Sequence, residues 1–175
     1  MMKNFLNNFL DELSAKIKAD SKLRSQLYQV RDILLRVSNN NKVIIVGNGA
    51  SSSIASHVSI DLTKGAGVRC VNFNEPNLLT CFGNDFGYDK WVEKAINYYG
   101  DKHDVLIAVS SSGQSENILN GCDAAREKGF ESIITLSGFK PNNPLRELGD
   151  VNLWIDSDNY NVIENVHQIW LLAVV

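Results

Sequence analysis

Twice in this chain an unbroken apolar run leads into a turn of glycine, asparagine and serine, and a helical pattern follows. The first is Lys42-Val43-Ile44-Ile45-Val46, then Gly47-Asn48-Gly49-Ala50-Ser51-Ser52-Ser53. The second is Val105-Leu106-Ile107-Ala108-Val109, then Ser110-Ser111-Ser112-Gly113-Gln114-Ser115, with a helix expected from Glu116 to about Lys128. Short runs of Val, Ile and Leu without polar alternation read as strands covered on both faces, the environment of a parallel sheet. In an open α/β sheet the turns after such strands face a crevice at their carboxyl ends. Two turns of this kind can therefore line one pocket.

Three further apolar runs, 68–73, 132–136 and 151–155, alternate with helical patterns. The alternation predicts an α/β fold with a five-stranded parallel sheet (42–46, 68–73, 105–109, 132–136, 151–155) and helices on both faces. Before it, Phe5, Leu6, Phe9, Leu10, Leu13 and Ile17 recur at helical spacing, as do Leu23, Leu27, Val30, Leu34 and Val37. Asp20-Ser21 lies between them and can cap the second helix. These two helices, 1–40, are expected to pack in an oligomer interface, beside a Rossmann-like core at 41–175, within one domain spanning 1–175. Residues 75–88 read as a short helix and a polar turn carrying Asn84-Asp85. A second helix with Trp91, Val92, Ala95 and Ile96 follows. The apolar run from Ile169 to Val175 reaches the end of the sequence without a cap, so the natural chain is expected to continue past Val175.

The serine turn joins four hydroxyls to the free amides of a helix N-terminus, with no Lys or Arg in the turn. That combination suits an anion such as a phosphate held by neutral donors. The plainer reading is that the serines cap the helix and fill the turn. The first turn lacks the third glycine of a dinucleotide fingerprint and the Gly-Lys-Ser/Thr of a P-loop, so no nucleotide cofactor is expected. A net charge of −3 without a basic tract excludes the usual nucleic-acid footprint. Cys70, Cys81 and Cys122 have no CxxC spacing. Buried reduced thiols are expected, which fits a cytoplasmic protein. No segment reads as a signal peptide or a membrane span, so no membrane partner is expected.

Among the ionisable residues, His103 lies in a polar turn and reads as solvated. His57 and Asp61 share a helix face at a spacing of four, and Glu164 and His167 share one at a spacing of three. The plain alternatives are a surface pair for the first and a hydrogen-bonded core histidine for His167. Together His57, Asp61, Glu164 and His167 can make a cluster of two carboxylates and two imidazoles, suited to zinc or another divalent ion. Proton transfer without a metal suits it equally.

Gly47-Asn48-Gly49-Ala50-Ser51, Asn84-Asp85-Phe86-Gly87-Tyr88 and Ser110-Ser111-Ser112-Gly113-Gln114-Ser115 resemble the three signature segments of sugar isomerase (SIS) domain proteins. More closely they resemble phosphoheptose isomerases. Asp104-Val105-Leu106 and Ala124-Ala125-Arg126-Glu127-Lys128-Gly129 fit as well, and the resemblance covers essentially the whole chain. It implies a three-layer SIS sandwich that binds a sugar phosphate. Ser110, Ser111, Ser112 and Ser115 would hold the phosphate, Asn48, Gly49 and Ser51 would lie near the sugar, and Asp85 would reach a hydroxyl. The implied reaction takes sedoheptulose 7-phosphate to D-glycero-D-manno-heptose 7-phosphate through an enediol, for surface-polysaccharide precursors. Zinc and a homotetramer with sites between subunits are implied too.

The chain departs from that pattern in three places. Asp61 stands where the family has a glutamate base, Glu164 where it has a glutamine, and Leu172 where it has a zinc-binding histidine that acts as acid. Asp61 and Glu164 are then the catalytic candidates. The alternative is a non-catalytic SIS module that binds sugar phosphates or regulates, such as a replication-initiator-associating homologue.

Overall fold

The computed structural model describes residues 2–175. The elements run α1 (Met2–Ile17), α2 (Ser21–Leu35), β1 (Val43–Gly47), α3 (Ala50–Lys64), β2 (Cys70–Val71), α4 (Pro76–Phe86) and α5 (Trp91–Tyr99). Then come β3 (Val105–Val109), α6 (Glu116–Glu127), β4 (Ser132–Ser137), α7 (Leu145–Leu148), β5 (Val151–Trp154) and α8 (Tyr160–Leu172). All five strands are parallel, in the order β2-β1-β3-β4-β5. The expected α/β architecture is therefore the observed one.

The apolar runs lack polar alternation because both faces of the sheet are covered. Val43 and Ile45 of β1 join Val105, Ile107 and Val109 of β3 on one face, packed under α2, α3 and α8. Ile44 and Val46 join Leu106 and Ala108 on the other, packed under α5 and α6. The strand order reverses between β1 and β3, and Gly47 pairs with Val109 in register. The two hydroxyl-rich turns therefore leave the sheet side by side, at the topological switch point where ligands bind in such folds.

Two expectations about secondary structure are corrected. The strand expected at 68–73 shrinks to Cys70–Val71, an edge strand with one neighbour. The residues that follow are tied to α3 by side chains instead. Asn72 Nδ2 donates to Ser59 Oγ at 2.9 Å, and Asn74 Nδ2 donates to Ser52 O at 2.6 Å. The turn expected at Asn84-Asp85 is helical. Pro76 opens α4, the Glu75 carboxylate accepts from Leu78 N at 2.8 Å, and the helix reaches Gly87, whose φ of 92° ends it.

Asp20 caps α2 through Leu23 N at 2.8 Å. In α1, Phe9, Leu13 and Ile17 rest on the core, and the helix packs along α8. Its Phe5, Leu6 and Leu10 face outward. All three cysteines are free. Burial pushes the Cys122 and Cys70 thiols up to about 12. Cys81 is exposed rather than buried, because α4 buries no residue fully. Among the described residues, no helix is long and apolar enough to cross a membrane.

Candidate functional site

Each turn is built by residues that leave it no other conformation. A Cβ on Gly47 would lie 2.7 Å from the Ser51 carbonyl, so glycine lets α3 fold back close against β1. Gly113 has φ of 66°, and a side chain there would collide with the Asn143 carboxamide. Asn143 is buried and donates to Ser137 Oγ (3.1 Å) and Lys140 O (2.8 Å), so it does not move aside. The two turns are joined by a reciprocal amide pair. Asn48 Nδ2 donates to Asn117 Oδ1, and Asn117 Nδ2 donates to Asn48 Oδ1, each at 2.9 Å. Tyr88 Oη adds a bond to Asn48 Oδ1 at 3.1 Å.

The serines do not act chiefly as caps. Ser115 stands at the N-cap of α6 but makes no capping bond; its hydroxyl accepts from Ser110 Oγ at 3.1 Å. Ser112 Oγ accepts from Gln114 N at 3.2 Å within the turn. Ser111 Oγ is sealed from solvent and has no partner at hydrogen-bonding geometry. A buried hydroxyl left in that state costs roughly 1–3 kcal/mol, recovered when an acceptor arrives. The serine turn, Asn48, Ser51, Tyr160 and Glu164 enclose a cleft of about 150 Å³. Larger concavities exist, such as one of about 600 Å³ beside β2 and α4, but it is more apolar than polar and holds none of these hydroxyls.

Glu164 is the carboxyl of the cleft. Partial burial raises its pKa, and the nearby Ser111 hydroxyl, too loosely placed for a full bond, offsets only part of that rise. Glu164 therefore holds its proton to higher pH than an exposed carboxyl does.

The four-residue cluster of His57, Asp61, Glu164 and His167 does not form, which corrects the metal-ligand expectation. His167 points into the core, fully buried, with Nε2 at 3.2 Å from Ser137 O. Burial holds its pKa down at about 4, against the opposing effect of the Ser137 carbonyl, so the ring is neutral and Nε2–H donates. Its Nδ1 has no partner. His57 is exposed instead, with Nε2 at 3.2 Å from Asp61 Oδ2 and Nδ1 at 3.0 Å from Gln168 Nε2. Among the described residues, no three His, Cys, Asp or Glu side chains gather closely enough to hold a metal ion. Leu172 packs half-buried against the core.

Asp85 lies apart from the cleft. It is exposed on the last turn of α4, where it accepts from Asn84 Nδ2 at 2.9 Å and from Cys81 Sγ at 3.6 Å. Sequence reasoning missed Asn117, Tyr160 and Gln168. Tyr160 and Gln168 were detectable: with Glu164 and Leu172 they recur every four residues along one face of α8. Asn117, in the first turn of α6, carried no such signal.

Residues 8–138 match the family described as SIS domain. A phosphoheptose isomerase of Helicobacter pylori (strain P12) is 30% identical over 166 residues, covering 91% of this chain and 85% of the relative. One of Buchnera aphidicola subsp. Schizaphis graminum (strain Sg) is 31% identical over 170 residues, covering 92% and 87%. The solved structure of a phosphoheptose isomerase from Neisseria gonorrhoeae superposes with a TM-score of 0.89 at 26% identity, covering 99% of this chain and 96% of that one.

Proposed function

The chain belongs to the SIS domain family, and on that premise we propose that it is an aldose–ketose isomerase converting sedoheptulose 7-phosphate to D-glycero-D-manno-heptose 7-phosphate. The observation that carries the reading is the cleft at the β1–β3 switch point. There the unpartnered Ser111 hydroxyl, the Ser110–Ser115 pair and the N-terminus of α6 converge. Neutral donors and the positive end of a helix suit a phosphate dianion. Ser110, Ser111, Ser112 and Ser115 hold the phosphate, while Asn48, Gly49 and Ser51 face the sugar.

The reaction needs a base at C1 and an acid at the carbonyl oxygen. Asp61 lies ten residues beyond Ser51 on α3, or about 15 Å at 1.5 Å per residue, the scale of an extended seven-carbon phosphate plus the reach of a carboxylate. Asp61 removes the C1 proton, the C1–C2 double bond forms, and the carbonyl electrons move to O2. Glu164, neutral to higher pH than an exposed carboxyl, gives O2 its proton. Loss of the O1 proton and protonation at C2 then yield the aldose. The resemblance also implies zinc, but the residues present do not fit it. His167 faces the core, Leu172 carries no donor atom, and both nitrogens of His57 are already engaged. The steps above therefore run through side chains alone, and the reading needs no nucleotide cofactor.

The whole chain acts as one SIS domain that assembles as a homotetramer with sites between subunits. The outward Phe5, Leu6 and Leu10 of α1 support an interface, and the exposed Asp85 then serves a site completed by a neighbouring copy. Free cysteines and the absence of a membrane-crossing helix among the described residues support a cytoplasmic setting. The product feeds heptose precursors for surface polysaccharide. Incubation with sedoheptulose 7-phosphate, followed by proton NMR, should show the aldose signal growing. Leu172 favours a second reading, a module that binds sugar phosphates without turnover. Binding with no aldose signal would select it.

A further inference from the structure

We propose that Gln168 is a positioning residue: it fixes the tautomer of His57, and through it the orientation of Asp61, and it occupies the one lone pair with which the neutral imidazole could bind a metal. The inference rests on the reading of Asp61 as the base. α3 and α8 pack side by side, and His57 bridges them. Its Nδ1 meets Gln168 Nε2 across the seam at 3.0 Å, and its Nε2 meets Asp61 Oδ2 within α3 at 3.2 Å.

The protons in this chain follow from the donor inventory. A carboxamide N–H pointing at Nδ1 requires a lone pair there, so a neutral ring carries its proton on Nε2, the nitrogen that lies 3.2 Å from Asp61 Oδ2. The flipped amide would offer its oxygen and require Nδ1–H. A neutral ring would then turn the Nε2 lone pair toward the Asp61 carboxylate, which is repulsive. Only the first arrangement satisfies both contacts with an uncharged imidazole. It keeps the N–H edge of the ring toward Asp61 Oδ2, which orients the carboxylate, and leaves Oδ1 to take a proton from substrate. It also leaves His57 no free lone pair, so a metal binds only by breaking one of the two contacts.

The placement on α8 supports the same role. Tyr160 and Glu164 line the serine cleft, and Gln168 is the next residue on that face. The stripe thus runs from the anion site to the imidazole that holds the base. Leucine at 168 would leave Nδ1 without a donor. Glutamate there would have no N–H to give and would require Nδ1–H.

The test reads the His57 ring nitrogens by two-bond ¹H–¹⁵N NMR at a pH where the ring is neutral, in wild type, Q168L and Q168E. Wild type should show one tautomer, with the proton on Nε2. Q168L should show mixed tautomers, and Q168E should move the proton to Nδ1 or charge the ring. In Q168L, kcat for sedoheptulose 7-phosphate should fall about tenfold while KM stays unchanged, since no contact to the phosphate is lost. After incubation with zinc and dialysis, wild type should retain no stoichiometric metal by mass spectrometry. A wild-type ring with mixed tautomers, a His57 signal that neither variant alters, or one zinc retained per chain would overturn the inference. A wild type that shows the Nε2–H tautomer and loses it in the variants, yet turns over no sugar, supports the role of Gln168 and overturns the isomerase reading instead.

Discussion

His167 should make the folded chain lose stability in a defined acid window. It is fully buried, its ring is neutral, and its pKa is held at about 4 against an ordinary value of 6.5. A depressed value means that the unfolded chain takes up the proton first. The stabilisation is complete above pH 6.5 and is lost as pH falls toward 4. At 1.36 kcal/mol per pH unit, this one side chain removes about 2 kcal/mol by pH 5 and about 3 kcal/mol by pH 4. H167L provides the comparison. At pH 7 it should be less stable than wild type by roughly 0.5–1.5 kcal/mol, because Ser137 O loses one of its two donors and keeps only Ile155 N. It has no such titration, so the two stabilities should converge at about pH 5.5–6 and cross below it. Urea unfolding from pH 7 to pH 4.5 measures both. Parallel curves, with the gap constant across the window, would refute the assignment of His167 as a neutral core residue.

Two further outcomes follow from the cleft. S112A/S115A should weaken sugar-phosphate binding by roughly 1–3 kcal/mol, about a 5- to 150-fold rise in Kd by calorimetry, and unchanged affinity would remove the serine turn as the anion site. Glu164, with its pKa raised by burial, is neutral below that value and ionised above it. Wild-type affinity for the sugar phosphate should therefore fall as pH rises through it, while E164Q should show a flatter profile, near-normal binding and turnover reduced by about 10²–10⁴. Equal pH profiles for the two proteins would count against Glu164 as the titrating group of the site.

The sheet was legible because parallel strands covered on both faces leave continuous apolar runs such as Val43–Val46 and Val105–Val109. The turns were legible because only glycine and small hydroxyl residues fit where the backbone turns sharply onto a helix. Edge pairing was not: residues 68–73 look like a strand, but with one neighbour and amide side chains that reach α3, the pairing stops at Val71. Asn84-Asp85 carried turn chemistry that the cap at Glu75 and Pro76 overrode. Long-range polar pairs left no local trace. Asn48 and Asn117 are 69 residues apart, and Gln168 and His57 are 111 apart. For His167 the flanking Val166, Ile169, Trp170 and Leu171 already pointed to the core, whereas the proposed partnership with Glu164 needed a ring orientation that helix spacing does not fix.

The central claim is that this chain moves a proton between adjacent carbons of a sugar phosphate through its own side chains. Chelator-treated protein, incubated with sedoheptulose 7-phosphate in deuterium oxide, tests it most directly. Wild type should wash deuterium into C1 or C2 as the aldose forms, and D61N should do neither while still binding the phosphate. A wild type that binds the sugar phosphate and exchanges no proton at either carbon, with or without added zinc, would contradict the claim and leave a binding module.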